Sequence, residues 1–274
     1  MDTHEGDSDG DGAVGLSALL QLLSDDRACD GMIRRPVSEV CARLLRPRLA
    51  WPELPAGGWW LAGGAVLEWL LGAHWVAGDL DVFCHDLNAV RACLRSVEAQ
   101  GGRLIGLSTW RGRACWRCGL LLGPTRWWAP FLSPDLAICQ RCRRTRVASA
   151  PEARVAELLA LTPESVASLG VMAVELRAPD ARTVQVVIGH LHASPAAMFR
   201  SFDLSVCQIA LDADAVYLSE SARRDILERR VGVSHVNHPL LTLSRLVKYR
   251  RRGFRVRWST TRSVFARARG VASA

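Results

Sequence analysis

Apolar and polar residues alternate most clearly at Asp79-Leu80-Asp81-Val82-Phe83. Period two belongs to a strand, whose successive side chains point to opposite faces. Asp79 and Asp81 therefore share one face, and Leu80 and Val82 the other. Similar runs predict strands over 59–62, 104–107, 172–176, 184–188, 204–211 and 216–218. Apolar residues three and four apart predict helices over 16–23, 37–45, 65–71, 87–100, 153–161, 221–230 and 240–251, with a short one over 194–199. Pro36 suits a helix start, and Gly101-Gly102 a helix end. No internal repeat is evident.

Two carboxylates held side by side repel each other and raise a pKa unless a cation neutralises them. Hard oxygen ligands next to an anionic substrate are what Mg²⁺ uses. Gly63-Gly64 precedes the acidic strand and opens a short apolar stretch. Glycines there let backbone approach a phosphate closely, and a helix N-terminus favours anions. An Asp-x-Asp pair by itself is often a solvated strand end, and a Gly-Gly pair by itself only a turn. Glycines, short helix and acidic strand in this order are more specific, and they point to metal-dependent nucleotidyl transfer.

The segment LAGGAVLEWLLGAHWVAGDLDVF, residues 61–83, resembles the head of the polymerase-β-type nucleotidyltransferases. Within them it is most similar to the tRNA-nucleotidyltransferase and poly(A)-polymerase branch, which has Gly-Gly, a helix ending Leu-Leu-Gly, then Asp-x-Asp. Residues 183–210 and the basic stretch Leu246-Val247-Lys248-Tyr249-Arg250-Arg251-Arg252-Gly253-Phe254 extend the likeness, the latter resembling a helix of uncharacterised viral and phage relatives. The resemblance covers roughly 55–110 and 180–255. It implies an α/β (α+β) fold, a nucleotidyltransferase-like mixed sheet flanked by helices. It also implies Mg²⁺ or Mn²⁺ on Asp79 and Asp81, with a third carboxylate at Asp203 and Asp212 as the fallback. Gly63, Gly64, Lys248 and Arg252 would then bind the nucleotide. Leu67 and Glu68 stand where the tRNA-type enzymes carry an Arg-Asp pair, so the general fold is implied more firmly than CCA addition.

Nine cysteines are present, and four form Cys115-x-x-Cys118 and Cys139-x-x-Cys142 with twenty residues between the pairs. Two such hairpins present four thiolates to one tetrahedral ion, a closed Zn²⁺ shell with no open position for catalysis. The alternative is a redox pair or two unrelated pairs. Arg111, Arg113, Arg117, Arg141, Arg143, Arg144 and Arg146 flank the motif, and Trp110, Trp116, Trp127 and Trp128 lie in or beside it. They would serve either to contact nucleic acid or to form a small core. Cys41, Cys84, Cys93 and Cys207 fall in apolar-periodic stretches and read as buried small hydrophobes.

The 274 residues carry a formal charge of +8, and Lys248 is the single lysine. Such a surplus favours a polyanionic partner; codon bias in a GC-rich genome is the alternative source for part of the arginine count. Arg245, Lys248, Arg250, Arg251, Arg252, Arg255 and Arg257, interleaved with Tyr249, Phe254 and Trp258, are read either as a solvated face or as a triphosphate or nucleic-acid contact. His190-x-His192 and the pair His235 and His238 are read as loop histidines, not catalytic ones. Asp7-Ser8-Asp9-Gly10-Asp11-Gly12 begins like a calcium loop, but Ala18 stands where the bidentate acid belongs.

No secretory profile is visible, and Glu68 and His74 interrupt the apolar run over 59–78, so the expectation is a soluble intracellular protein of cytoplasm or host nucleus, without a membrane partner. The expected organisation is an acidic N-terminal segment (1–30), a catalytic core in two parts (31–111 and 148–220), a zinc insertion (112–147) and a basic C-terminal segment (221–274). The expected function is transfer of a nucleoside monophosphate from a nucleoside triphosphate to nucleic acid, RNA above all. Two alternatives stay open: an inactive nucleic-acid-binding module on the same fold, and a toxin-type transferase modifying protein or tRNA.

Overall fold

The structure, a computed structural model, describes residues 32–43, 54–72, 79–109, 112–114, 160, 162, 171–178, 182–236, 238–256, 261–262 and 264–266. The expected helix over 16–23, nearly all of that over 153–161, the acidic tail and the four cysteines of the expected zinc site lie outside these residues. In chain order the elements are β1 (Met32–Pro36), α1 (Val37–Arg43), β2 (Trp59–Ala62), α2 (Gly64–Leu71), β3 (Leu80–Cys84), α3 (Leu87–Ala99), β4 (Arg103–Thr109) and β5 (Gly112–Ala114). They continue with β6 (Val171–Arg177), β7 (Thr183–Val187), α4 (Pro195–Phe199), β8 (Ile209–Leu211), β9 (Ala215–Ser219), α5 (Glu220–Leu227), β10 (Arg230–Val231), α6 (Pro239–Arg251) and β11 (Arg255–Val256). The chain is α/β, with mixed sheet flanked by helices, as the sequence implies. It divides into two units: residues 1–49, 62–75 and 195–274, and residues 50–61 and 76–194.

The second of these units is built on strands in the order β2-β3-β7-β6-β4-β5. β3 and β7 run parallel, while β7–β6, β6–β4 and β4–β5 are antiparallel. Period two in the sequence becomes a two-faced sheet. Leu80, Val82 and Cys84 of β3 are buried, as are Val184 and Val186 of β7. α3 packs against these two strands. It buries Val90, Cys93, Leu94 and Val97, a stripe at helical spacing. Full burial of a side chain of this size contributes roughly 1.5–3 kcal/mol. A hydrogen bond with Cys93, together with burial, pushes the Cys84 thiol well above its ordinary range, which fits two cysteines meeting in an apolar layer. α3 starts at Asp86, whose carboxylate accepts the Ala89 N–H at 2.8 Å. That bond holds Asp86 below the usual carboxylate range.

The other unit carries the antiparallel strands β1-β9-β8, with β10 and β11 as a separate parallel pair. Residues 32–36 were not expected as a strand, because Met-Ile-Arg-Arg-Pro lacks alternation. β1 exists because β9 supplies a partner, and among the described residues it pairs with β9 on one side only, an edge position that tolerates Pro36. The expected strand over 204–211 is corrected. Residues Ser205–Cys207 form a 3-10 turn, and only Ile209–Leu211 is strand. The cause is a side-chain network that competes with ladder pairing. The Ser205 hydroxyl bonds to the buried Asp225 carboxylate, and its oxygen accepts the Gly232 N–H at 2.9 Å. Arg230 closes the group by donating from Nε to Asp225 at 2.6 Å. Cys207 and Cys41 are half-buried, whereas Cys84 and Cys93 are fully buried.

Candidate active site

The strand alternation sets Asp79, Asp81 and Phe83 on the face of β3 opposite the α3 layer. Asp79 is exposed and Asp81 half-buried. Backbone register extends that face sideways. Asp81 lies opposite Gln185 of β7, and Gln185 lies opposite Glu175 of β6. Residues opposite one another share a face, and strands lie about 4.8 Å apart, so Asp81 and Glu175 stand roughly two strand spacings apart with Gln185 between them. Gln185 donates from Nε2 to Asp79 at 3.2 Å. Glu175 is 2% exposed in a strand otherwise apolar at its centre. It is an acidic residue on that face that the sequence pattern does not single out. A lone glutamate in Val-Met-Ala-Val-Glu-Leu-Arg gives no alternation signal; only the register with Gln185 reveals it.

Asp203, Gly63, Gly64, Lys248 and Arg252 belong to the other unit. Asp203 is buried, and both of its carboxylate oxygens are engaged. One accepts Thr242 Oγ1 at 2.8 Å, and the other accepts Arg245 Nη1 at 2.8 Å. Both donors come from α6, so Asp203 fixes that helix. Asp212, the fallback, accepts the Tyr217 hydroxyl at 2.8 Å and the N–H groups of Asp214 and Ala215 at 2.9 Å, which is the work of a turn.

Gly63 has φ 82° and ψ −145°, a region that residues with a Cβ essentially do not enter. Its N–H donates to Ile209 O at 2.9 Å, and no side chain caps the helix that follows. Gly64 meets α6 closely: a Cβ on it would lie 3.1 Å from the Tyr249 hydroxyl and 3.8 Å from Lys248 Nζ. The single lysine thus stands beside the uncapped start of α2. The far end of α6 is tied to the same helix by the Arg252–Glu68 ion pair, and Arg252 also lies over the Tyr249 ring, 5.6 Å from its centroid. Glu68, where the resemblance would have Asp, is a tether between helices. Tyr249 and Cys207 share a 3.2 Å hydrogen bond. Burial pushes the Tyr249 hydroxyl well above its ordinary range and the Cys207 thiol up to about 11.

Among the described residues no three histidine, cysteine or carboxylate groups are gathered closely enough to hold one ion. Asp79 and Asp81 nonetheless offer hard oxygen donors on one strand face. Mg²⁺ commonly takes one or two carboxylates and completes its shell with water and substrate phosphate. The donor set fits that use. No described helix is long and apolar enough to cross a membrane.

No family model matches the chain, and no curated protein matches it. Among solved structures it is similar to the Thermotoga maritima CCA-adding enzyme complexed with tRNA, at 15% identity and a TM-score of 0.43, over 85% of this chain and 45% of that one. The chain therefore spans less than half the length of that enzyme chain.

Proposed function

We propose that the protein is a metal-dependent nucleotidyltransferase that moves a nucleoside monophosphate from a nucleoside triphosphate to a nucleic-acid acceptor, RNA first among them. The carrying observation is the acidic face of β3, β7 and β6, where Asp81 stands in one row with Gln185 and Glu175, and Asp79 accepts a hydrogen bond from Gln185. Asp79 and Asp81 would hold Mg²⁺ or Mn²⁺, and when bound the ion would supply charge neutralisation and activation of the attacking hydroxyl. Gln185 orients Asp79 through the hydrogen bond that its side-chain amide donates. Glu175, two strands from Asp81, adds a further carboxylate to that face. Asp203, the third carboxylate that the resemblance suggests, has both oxygens engaged by Thr242 and Arg245.

Gly63, Gly64 and Lys248 are the proposed phosphate contacts. The uncapped N–H groups at the start of α2 attract anions, and Lys248 adds a full positive charge beside them. Arg252 holds α6 to α2 through Glu68 and so positions Lys248. Exposed Arg250 and Arg251, with Lys248, give α6 a basic surface suited to a phosphate backbone. The Zn²⁺ site at Cys115, Cys118, Cys139 and Cys142 is proposed as a structural insertion, and metal content of the purified protein tests it.

One observation favours the inactive nucleic-acid-binding alternative: the absence of a gathered three-group cluster among the described residues. Mn²⁺ binding followed by electron paramagnetic resonance, with and without a nucleoside triphosphate, decides between them. The transferase reading expects nucleotide-strengthened Mn²⁺ binding that Asp81→Asn removes. Mn²⁺ binding that is absent, or indifferent to Asp81→Asn, supports the inactive module.

A further inference from the structure

Phe83 follows Asp81 by two residues on the same strand face, roughly 7 Å further along β3 at strand rise. It is half-buried, and a loop carrying two imidazoles lies against it. The His192 N–H donates to Cys84 O at 3.1 Å, which fixes that loop at the end of β3. The His192 ring lies 6.0 Å from Phe83, tilted by 48°. The His190 ring lies 6.3 Å from His192 at an interplanar angle of only 21°, so the two imidazoles present nearly parallel faces. His190 is exposed, His192 half-buried, and Leu191 between them is 38% exposed. The run of rings starts half-buried at Phe83 and His192 and ends at solvent on His190, on the same side of the sheet as the acidic strand face, where a flat ligand could stack.

We infer that Phe83, His192 and His190 form a stacking platform for a nucleobase beside the Asp79–Asp81 carboxylates. Flat π faces accept any base, and the exposed His190 imidazole adds hydrogen-bonding nitrogens at its edge. Aromatic pairs gain from offset or edge contact over centroid distances of this size. The base belongs either to the incoming triphosphate or to the acceptor's terminal nucleotide. The inference rests on the nucleotidyltransferase reading for the source of the base, but base binding needs no turnover.

The test uses fluorescence quenching of 2-aminopurine, once as the riboside triphosphate and once as the terminal base of a single-stranded RNA. The wild-type chain, His190→Ala, and His190→Ala with Phe83→Leu are compared, with folding checked by circular dichroism. His190→Ala removes an exposed ring and leaves the core intact. Loss of one stacked ring is expected to weaken binding of one probe by about tenfold, toward the lower end of the range for a stacked base. The probe affected identifies the source of the base. Both probes binding both variants as they bind wild type would overturn the platform. Failure of label transfer with the quenching differences intact would instead overturn the transferase reading and leave the platform standing.

Discussion

Asp203 distinguishes a residue that holds α6 from one that would hold a metal, and its removal separates the two. Asp203→Ala takes away the acceptor of Thr242 Oγ1, on a residue that is 1% exposed. A buried hydroxyl left without its acceptor costs about 1–3 kcal/mol. The same change breaks the bond to Arg245, but that side chain is 51% exposed, and water replaces most of what is lost. A pair so exposed adds about 0–1 kcal/mol. The expected total is therefore about 1–4 kcal/mol of stability. Asp203→Asn keeps a carbonyl oxygen for Thr242 but sets an NH2 opposite Arg245, so it gives up the charge and the hydrogen bond to that half-exposed guanidinium, at a cost of about 1 kcal/mol. Urea unfolding of the two variants measures both figures, and Thr242→Val in combination with Asp203→Ala measures their coupling. The folded Asp203→Asn protein should keep most of its label transfer. Equal destabilisation by both variants would refute the hydrogen-bond reasoning. Full loss of transfer in a stable Asp203→Asn protein would return Asp203 to the reaction.

Gly63→Ala should destabilise by about 1–3 kcal/mol, because its φ of 82° and ψ of −145° are strained for any residue with a Cβ; urea unfolding checks this, and an unchanged midpoint would contradict it. Asp86→Ala should cost about 1 kcal/mol through loss of the α3 cap. Because the folded pKa of Asp86 is lowered, its contribution is present above the ordinary carboxylate range and disappears as pH falls through the folded value, so the difference between Asp86→Ala and wild type should shrink in acid. Cys207 works in the opposite direction: its folded pKa is raised from 9.0 to about 11, so its contribution is full below pH 9 and lost as pH rises through about 11. Alkaline unfolding that is steeper for wild type than for Cys207→Ser over that window would bear this out.

Much of the fold is legible because local pattern and tertiary context agree. Asp79-Leu80-Asp81-Val82 alternates in sequence, and its apolar half meets an α3 stripe whose spacing is equally plain. β1 is illegible because its pairing comes from β9 rather than from its own residues. The 204–211 stretch misleads because an apolar run looks alike in a strand and in a buried turn; the bonds of Ser205 to Asp225 and Gly232 decide it, and both partners are distant in sequence. The candidate site divides in the same way. Asp79 and Asp81 declare themselves by spacing, and Gly63 by its place before a helix. Glu175 enters only through register across two strand pairs, and the occupation of Asp203 only through α6 folding back upon it.

Transfer of label from each α-labelled nucleoside triphosphate to RNA, run side by side for the wild-type chain and for Asp79→Asn combined with Asp81→Asn, tests the central claim most directly. The account predicts label on RNA with the wild-type chain in Mg²⁺ or Mn²⁺, none after chelation, and none with the equally folded variant. Equal labelling by both proteins, or labelling that survives chelation, would contradict it.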